Sequence, residues 1–185
     1  GCRSNYNNFP TGETVSIRPQ ESRLIFSMPE LKKTQAQVQR FTSKTGNYVE
    51  EFCEWRGLYK NDIAGILLSQ SAKGVPLTDP QDPKNTTNQW SVFRDQKPSF
   101  GELRKSNNVL GPIVWRRSGI GTRSCVIFLQ RWSLKMEKKS SSPITNLSGY
   151  YCKRSGKVFT PSFAEQVIKS IGLVIERSPQ RLKID

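Results

Sequence analysis

Apolar residues are spread along this chain in short runs, most of them alternating with polar positions, and long helical stripes are scarce. Residues 47–56, Asn-Tyr-Val-Glu-Glu-Phe-Cys-Glu-Trp-Arg, show the alternation most clearly. As a strand they place Val49, Cys53 and Trp55 on one face, interrupted by Glu51, and Tyr48, Glu50, Phe52 and Glu54 on the other. Further runs of strand length fall at residues 23–28, 89–94, 109–117 and 123–132. A first short strand is expected near residues 14–18 and a last one at 173–176. Residues 63–69 form a compact apolar run that suits either a strand or a helix. Two stretches look like the organising centre: a buried strand at 123–132 carrying Cys125, and a turn and short strand at 147–152 carrying Cys152. Gly119-Ile-Gly121 between two strands reads as a hairpin turn.

Helical signals are fewer. Thr160-Pro161 gives an N-cap and a first-turn proline, with Phe163, Val167, Ile168 and Ile171 on one face and Gly172 as the stop. Ser99 and Glu102 match a capping box that would open a short helix through about Ser106. Residues 31–40 admit a short helix with a thin stripe of Leu31 and Val38. Residues 73–88 hold three prolines and read as a long loop. Residues 135–143, basic and serine-rich, read as a solvated linker.

These elements predict one α+β domain, a mostly antiparallel sheet with one or two helices packed on one face. Residues 1–19 would be an N-terminal tether with the first short strand, 20–178 the domain, and 179–185 a polar tail. The length of 185 residues suits a single domain that buries about two thirds of its unfolded surface.

Composition narrows the function. There is no histidine, which removes Ser-His-Asp and Cys-His nucleophile systems and histidine-ligated metals. No metal site and no cofactor are expected. A net charge of +14, from 29 Lys and Arg against 15 Asp and Glu, suits nucleic acid, an anionic membrane or an acidic polymer. No run of 18 apolar residues is present. The four cysteines, at 2, 53, 125 and 152, include no Cys-x-x-Cys pair. Their wide spacing suits a structural disulfide in an oxidising compartment; the other reading is four buried thiols in a cytosolic protein. Asn85 and Asn146 head glycosylation sequons, close to chance in a chain this rich in Asn, Ser and Thr.

Two clusters invite chemistry. Glu50, Glu51 and Glu54 suggest acid-base catalysis, but carboxylates on a strand more often pair with Lys or Arg across the sheet. Trp55-Arg56, Trp115-Arg116-Arg117 and Arg131-Trp132 interleave rings with cations, as in surfaces that stack bases or sugars. Strand alternation alone gives the same pairing, with each Trp in the core and each Arg facing out.

Gly1-Cys2 resembles the processed end of a bacterial lipoprotein, in which the cysteine is acylated; the plain alternative is an incidental cysteine after an added glycine. The carboxy-terminal third carries Ser-Cys-Val-Ile-Phe-Leu-Gln (124–130), Leu-Ser-Gly-Tyr-Tyr-Cys (147–152), Lys-Arg-Ser-Gly (153–156) and a Thr-Pro-capped helix ending Ile-Lys-Ser-Ile-Gly-Leu. This order resembles small exported alphaproteobacterial lipoproteins of unknown function. Residues 48–57 are similar to a strand of the same group, more loosely. The resemblance implies a Cys125–Cys152 disulfide and a lipid on Cys2, with Cys53 left over. Such a bridge closes 27 residues, worth about 3 to 4 kcal/mol by chain entropy. Were Cys2 not acylated, a Cys2–Cys53 bridge would remain open.

The expected function is therefore a noncatalytic exported lipoprotein, periplasmic or outer-membrane-associated, with a binding or structural role in the cell envelope. Its partners would be the membrane through the lipid, and an anionic lipid, an acidic polysaccharide or an envelope protein assembly. The alternatives are a basic nucleic-acid-binding module and an enzyme acting on envelope polysaccharide through Glu50, Glu51 or Glu54.

Overall fold

The computed structural model describes residues 11–56, 61–72, 77–133 and 144–174. Its strands are β1 (Gly12–Ile17), β2 (Leu24–Phe26), β3 (Gln37–Ser43), β4 (Tyr48–Trp55), β5 (Ile63–Ser71), β6 (Ser99–Phe100), β7 (Arg104–Asn108), β8 (Gly111–Ile120), β9 (Arg123–Ser133), β10 (Ile144–Cys152) and β11 (Ile171–Leu173). The helices are α1 (Ser91–Arg94), α2 (Pro161–Lys169) and three 3-10 segments, Pro19–Glu21, Lys33–Gln35 and Pro83–Gln89. Nine strands make one antiparallel sheet in the order β1-β3-β4-β5-β10-β9-β8, with β6 and β7 both pairing with the outer edge of β8. β2 and β11 form a separate two-stranded ribbon. The architecture is sheet-dominated α+β.

β10 lies at the centre, paired along Ile144–Cys152 with β5 on one side and β9 on the other. Alternation divides its side chains between two cores. Leu147 and Tyr151, with Val126 and Phe128 of β9, enter the first, which α2 and the ribbon cover through Val167, Ile168, Leu24 and Phe26. Tyr150 and Cys152, with Cys125 and Ile127, enter the second, covered by Trp90 and Phe93. The expectation of helices on one face is corrected here: α2 lies on one face and the 83–94 segment on the other, because both faces of the central strands are apolar.

Three local expectations also give way. Residues 89–94 are not a strand but the end of a 3-10 turn and α1. The buried residues are Trp90 and Phe93, one helical turn apart, and both rings meet Tyr150 edge-on at 5.1 and 5.3 Å. Residues 99–106 form no helix; they supply β6 and β7. Phe100 and Leu103 stay exposed there, so a helix would have no apolar stripe to bury, whereas the free edge of β8 offers backbone hydrogen bonds. Residues 31–40 hold a single 3-10 turn and then enter β3, which buries Val38 and Phe41.

The capped helix α2 begins as expected, with the Thr160 hydroxyl accepting from Phe163 N at 3.1 Å. It ends at Lys169, before Gly172, because Ile171 and Gly172 turn into β11 and pair with Phe26 and Ile25. The 63–69 run is the strand β5, buried at Ala64, Ile66 and Leu68. The β8–β9 turn is Gly121-Thr122, with Gly119 and Ile120 still paired, and Gly121 takes φ +58°. Cys2, residues 135–143 and the 179–185 tail lie outside the described residues. Among the described residues no helix is long and apolar enough to cross a membrane.

Gly65 in β5 lets Trp90 lie on the sheet. A Cβ there would sit 2.6 Å from Trp90 Cζ3 and 2.7 Å from Tyr150 Cε1. Gly65→Ala is expected to destabilise by about 2 kcal/mol through overpacking, read as a lower urea midpoint together with changed tryptophan fluorescence.

Candidate functional site

The ends of β4 and β10 and the start of β5 meet at one end of the sheet, and the 30–35 segment crosses beside them. Between them is a cleft of about 640 Å³. Its charged lining is five cations (Lys32, Arg56, Lys153, Arg154, Lys157) and two carboxylates (Glu30, Asp62). Trp55, Leu31, Gln35 and Asn61 complete it.

Beneath the lining lies Tyr151, which two of the lining carboxylates meet. Its ring is fully buried between Phe26 and Phe163, at centroid distances of 5.9 and 5.6 Å. Its hydroxyl donates to Asp62 Oδ2 at 2.5 Å and lies 3.4 Å from Glu30 Oε2. Burial, and then the Asp62 carboxylate, push the phenol above its ordinary pKa, so it stays a neutral donor. Asp62 Oδ1 also accepts from Arg154 N at 2.6 Å. Both oxygens of Asp62 are thus occupied in fixing the start of the 153–157 loop.

The rest of that loop is sewn to the β8–β9 hairpin. Lys153 N donates to Ser124 O at 2.9 Å, and Gly156 N to Thr122 O at 3.0 Å. Arg123 Nη1 donates to Asn61 O and Lys153 O at 2.9 and 3.0 Å. On the opposite wall, Trp55 Nε1 donates to Lys32 O at 3.0 Å, holding the 30–35 segment against β4. Two of the five cations are engaged: Arg56 pairs with Glu54, and the Lys153 ammonium sits 3.9 Å above the Phe163 ring. The side chains of Lys32, Arg154 and Lys157 make no ion pair among the described residues.

The residues singled out from the sequence are dispersed. Trp55 and Trp115 are both in the first core. Trp115 Nε1 donates to Ser106 Oγ at 2.9 Å, and that hydroxyl donates to Glu165 at 2.7 Å. Arg116 grips Asp82 with two bonds of 2.8 and 2.6 Å and also donates to Gly101 O. The Arg116 guanidinium holds the Asp82 carboxyl below the usual carboxylate range. Arg117 donates to Phe159 O, and Arg131 pairs with Asp79 at 2.9 Å. Of these residues Trp55 and Arg56 reach the cleft.

The three glutamates of β4 also separate. Glu51 is fully buried, accepting from Ser22 Oγ at 2.5 Å and Arg23 N at 2.7 Å, with Arg23 Nε and Arg40 Nη2 each at 3.4 Å. Glu50 accepts from the Tyr48 hydroxyl. Cys125 and Cys152 are disulfide-bonded across directly opposed positions of β9 and β10, with Cα atoms 4.0 Å apart. Cys53 is a buried thiol, pushed up to about 12 by burial and by the neighbouring Glu51. Among the described residues no cluster of three metal-ligating side chains occurs.

Sequence reasoning did not reach Glu30, Asp62, Tyr151 or Lys157. The available signal was Lys153-Arg154 directly after Cys152, which places two cations at the end of a buried central strand. No known protein family, no curated protein and no solved structure matches the chain.

Proposed function

We propose that the protein is a noncatalytic exported lipoprotein of the bacterial cell envelope, held to the membrane through acyl chains on Cys2, and that the cleft binds an anionic group. The observation that carries the binding half is the set of three cations, Lys32, Arg154 and Lys157, left without an ion-pair partner among the described residues around a cleft of small-ligand size. The disulfide favours export, since such bonds persist in oxidising compartments. A noncatalytic role is favoured because Glu50, Glu51 and Glu54 are each held by a neighbouring hydroxyl or arginine. The charge of +14 still suits nucleic acid, but Arg116 and Arg131, two of the arginines expected to touch it, are turned to aspartates of the 77–82 segment.

Intact mass of the protein from its host's membrane fraction, measured before and after reduction and denaturing alkylation, tests the reading. The expected result is acyl mass on Cys2 and two thiols that appear only after reduction. An unmodified chain with every thiol open to alkylation without reduction refutes it, and the charge then points to nucleic acid.

A further inference from the structure

The cleft combines features that a bare anion does not use. Three of its cations, Lys32, Arg154 and Lys157, make no ion pair among the described residues and offer positive charge to a ligand. Yet Glu30 is exposed in the same lining, and its one hydrogen-bond contact among the described residues is the long 3.4 Å approach to the Tyr151 hydroxyl. A carboxylate in that position repels a small anion and accepts from a hydroxyl. Asp62 already accepts from Tyr151 and from the Arg154 amide, one on each oxygen, which leaves Glu30 the less engaged carboxylate of the lining. Trp55, nearly buried and with its Nε1 bound to Lys32 O, offers the cleft no polar donor. The cleft volume of about 640 Å³ is far more than a phosphate fills.

We propose that the cleft takes a charged sugar. Its phosphate or carboxylate sits among Lys32, Arg154 and Lys157, and one of its hydroxyls donates to Glu30. This deepens the binding role above and rests on the cleft being the binding site. A neutral sugar would make no use of the three cations, and inorganic phosphate, whose own P–OH could also donate to Glu30, would fill only a small part of the 640 Å³ cleft. The shared chemistry comes from two sources, a phosphorylated sugar or a uronate chain, and the probes below separate them.

The test is calorimetric titration of the full chain with glucose 6-phosphate, trigalacturonate, inorganic phosphate and maltotriose. At least one charged sugar is expected to bind about tenfold or more tighter than both inorganic phosphate and maltotriose. The tighter of the two charged sugars names the source. Glu30→Gln is expected to weaken the charged sugar about tenfold and inorganic phosphate clearly less, because phosphate fills too little of the cleft to keep its P–OH on Glu30 while among the cations. Arg154→Gln and Lys157→Gln should weaken both anions. All three side chains are exposed, and Arg154 keeps its backbone bond to Asp62, so the variants should melt with the parent protein.

Equal affinity for inorganic phosphate and both charged sugars overturns the proposal. So does a Glu30→Gln variant that tightens both ligands alike, because Glu30 then only repels. No binding by an acylated protein removes the charged sugar and leaves the anchored lipoprotein standing. Charged-sugar binding by a chain with bare Cys2 does the reverse.

Discussion

Glu51→Ala is expected to lower the stability of the fold by about 3 kcal/mol, the largest loss from any single surface-to-core contact described above. Glu51 stands on the apolar face of β4, directly opposite Arg40 of β3. Its carboxylate has no exposed surface and accepts from a hydroxyl, a backbone amide and, at longer range, two arginines. Those donors all serve one purpose, to hold residues 21–24 against the sheet so that Leu24 and Phe26 enter the first core. Arg40 extends the tie by donating to Glu21 O at 3.2 Å. Removing the acceptor strands two cations beside a buried face. Their side chains keep 25% and 33% of their exposure, so water takes back part of the cost, and the low end of the range for a broken buried pair applies. Glu51→Gln keeps its carbonyl for both Ser22 Oγ and Arg23 N, which share Oε1, but turns an amide donor toward Arg23 and Arg40 in place of Oε2, and should lose about 2 kcal/mol. Urea unfolding gives both values. An Ala variant within about 1 kcal/mol of the parent would mean that the carboxylate is not what holds the segment.

Much of the sheet was legible because period-two alternation is a local property. β4 shows it in full: its sequence separates Val49, Cys53 and Trp55 from Tyr48, Glu50, Phe52 and Glu54, and the structure uses the two sets on opposite faces. β9 was legible as a buried strand from its apolar run, whereas residues 147–152 read as a turn and short strand and are the end of the nine-residue central strand β10. What failed were segments whose partner is distant. Residues 99–108 carry a good helix start but pair with β8 at Ser118 and Gly119 and at residues 111–115. Residues 89–94 look alternating, yet their fold is decided by a hole on the sheet above Gly65 and Tyr150. Of the cleft, only Trp55 and Arg56 were singled out from the sequence. Beneath it Asp62 meets Tyr151 across 89 residues, and its described walls come from residues 30–35, 55–56, 61–62 and 153–157, each ordinary taken alone. The Trp-Arg pairs were visible, and the structure disperses them: Trp55 and Arg56 line the cleft, while Trp115 lies in the first core and Arg116 and Arg131 pair with aspartates.

Replacing Cys125 and Cys152 together by alanine is expected to cost about 3 kcal/mol. The physical reason lies in where the bond sits. β9 and β10 are joined through residues 134–143 at one end, and the disulfide closes the other end of the pair, 27 residues apart in sequence. In the unfolded chain the bridge therefore forbids the whole hairpin from opening, an entropic restraint that the native sheet hardly notices. Both cysteines are fully buried under Trp90 and Phe93, so a further packing loss follows when the sulfurs are removed. The bond also stands one residue before Lys153, whose amide is fixed to Ser124 O, so the strand end that carries the cleft cations is the part it secures. Reductant under native conditions should act slowly and in urea quickly, because neither sulfur is reached without opening the sheet. Cys53→Ala in the same background isolates the bridge from the third thiol, which burial already keeps protonated and unreactive. A double variant that unfolds at the parent's urea midpoint would show that strand pairing alone fixes β9 to β10; a midpoint that falls with a steeper slope places the stabilisation in the unfolded chain, which is then free to expand.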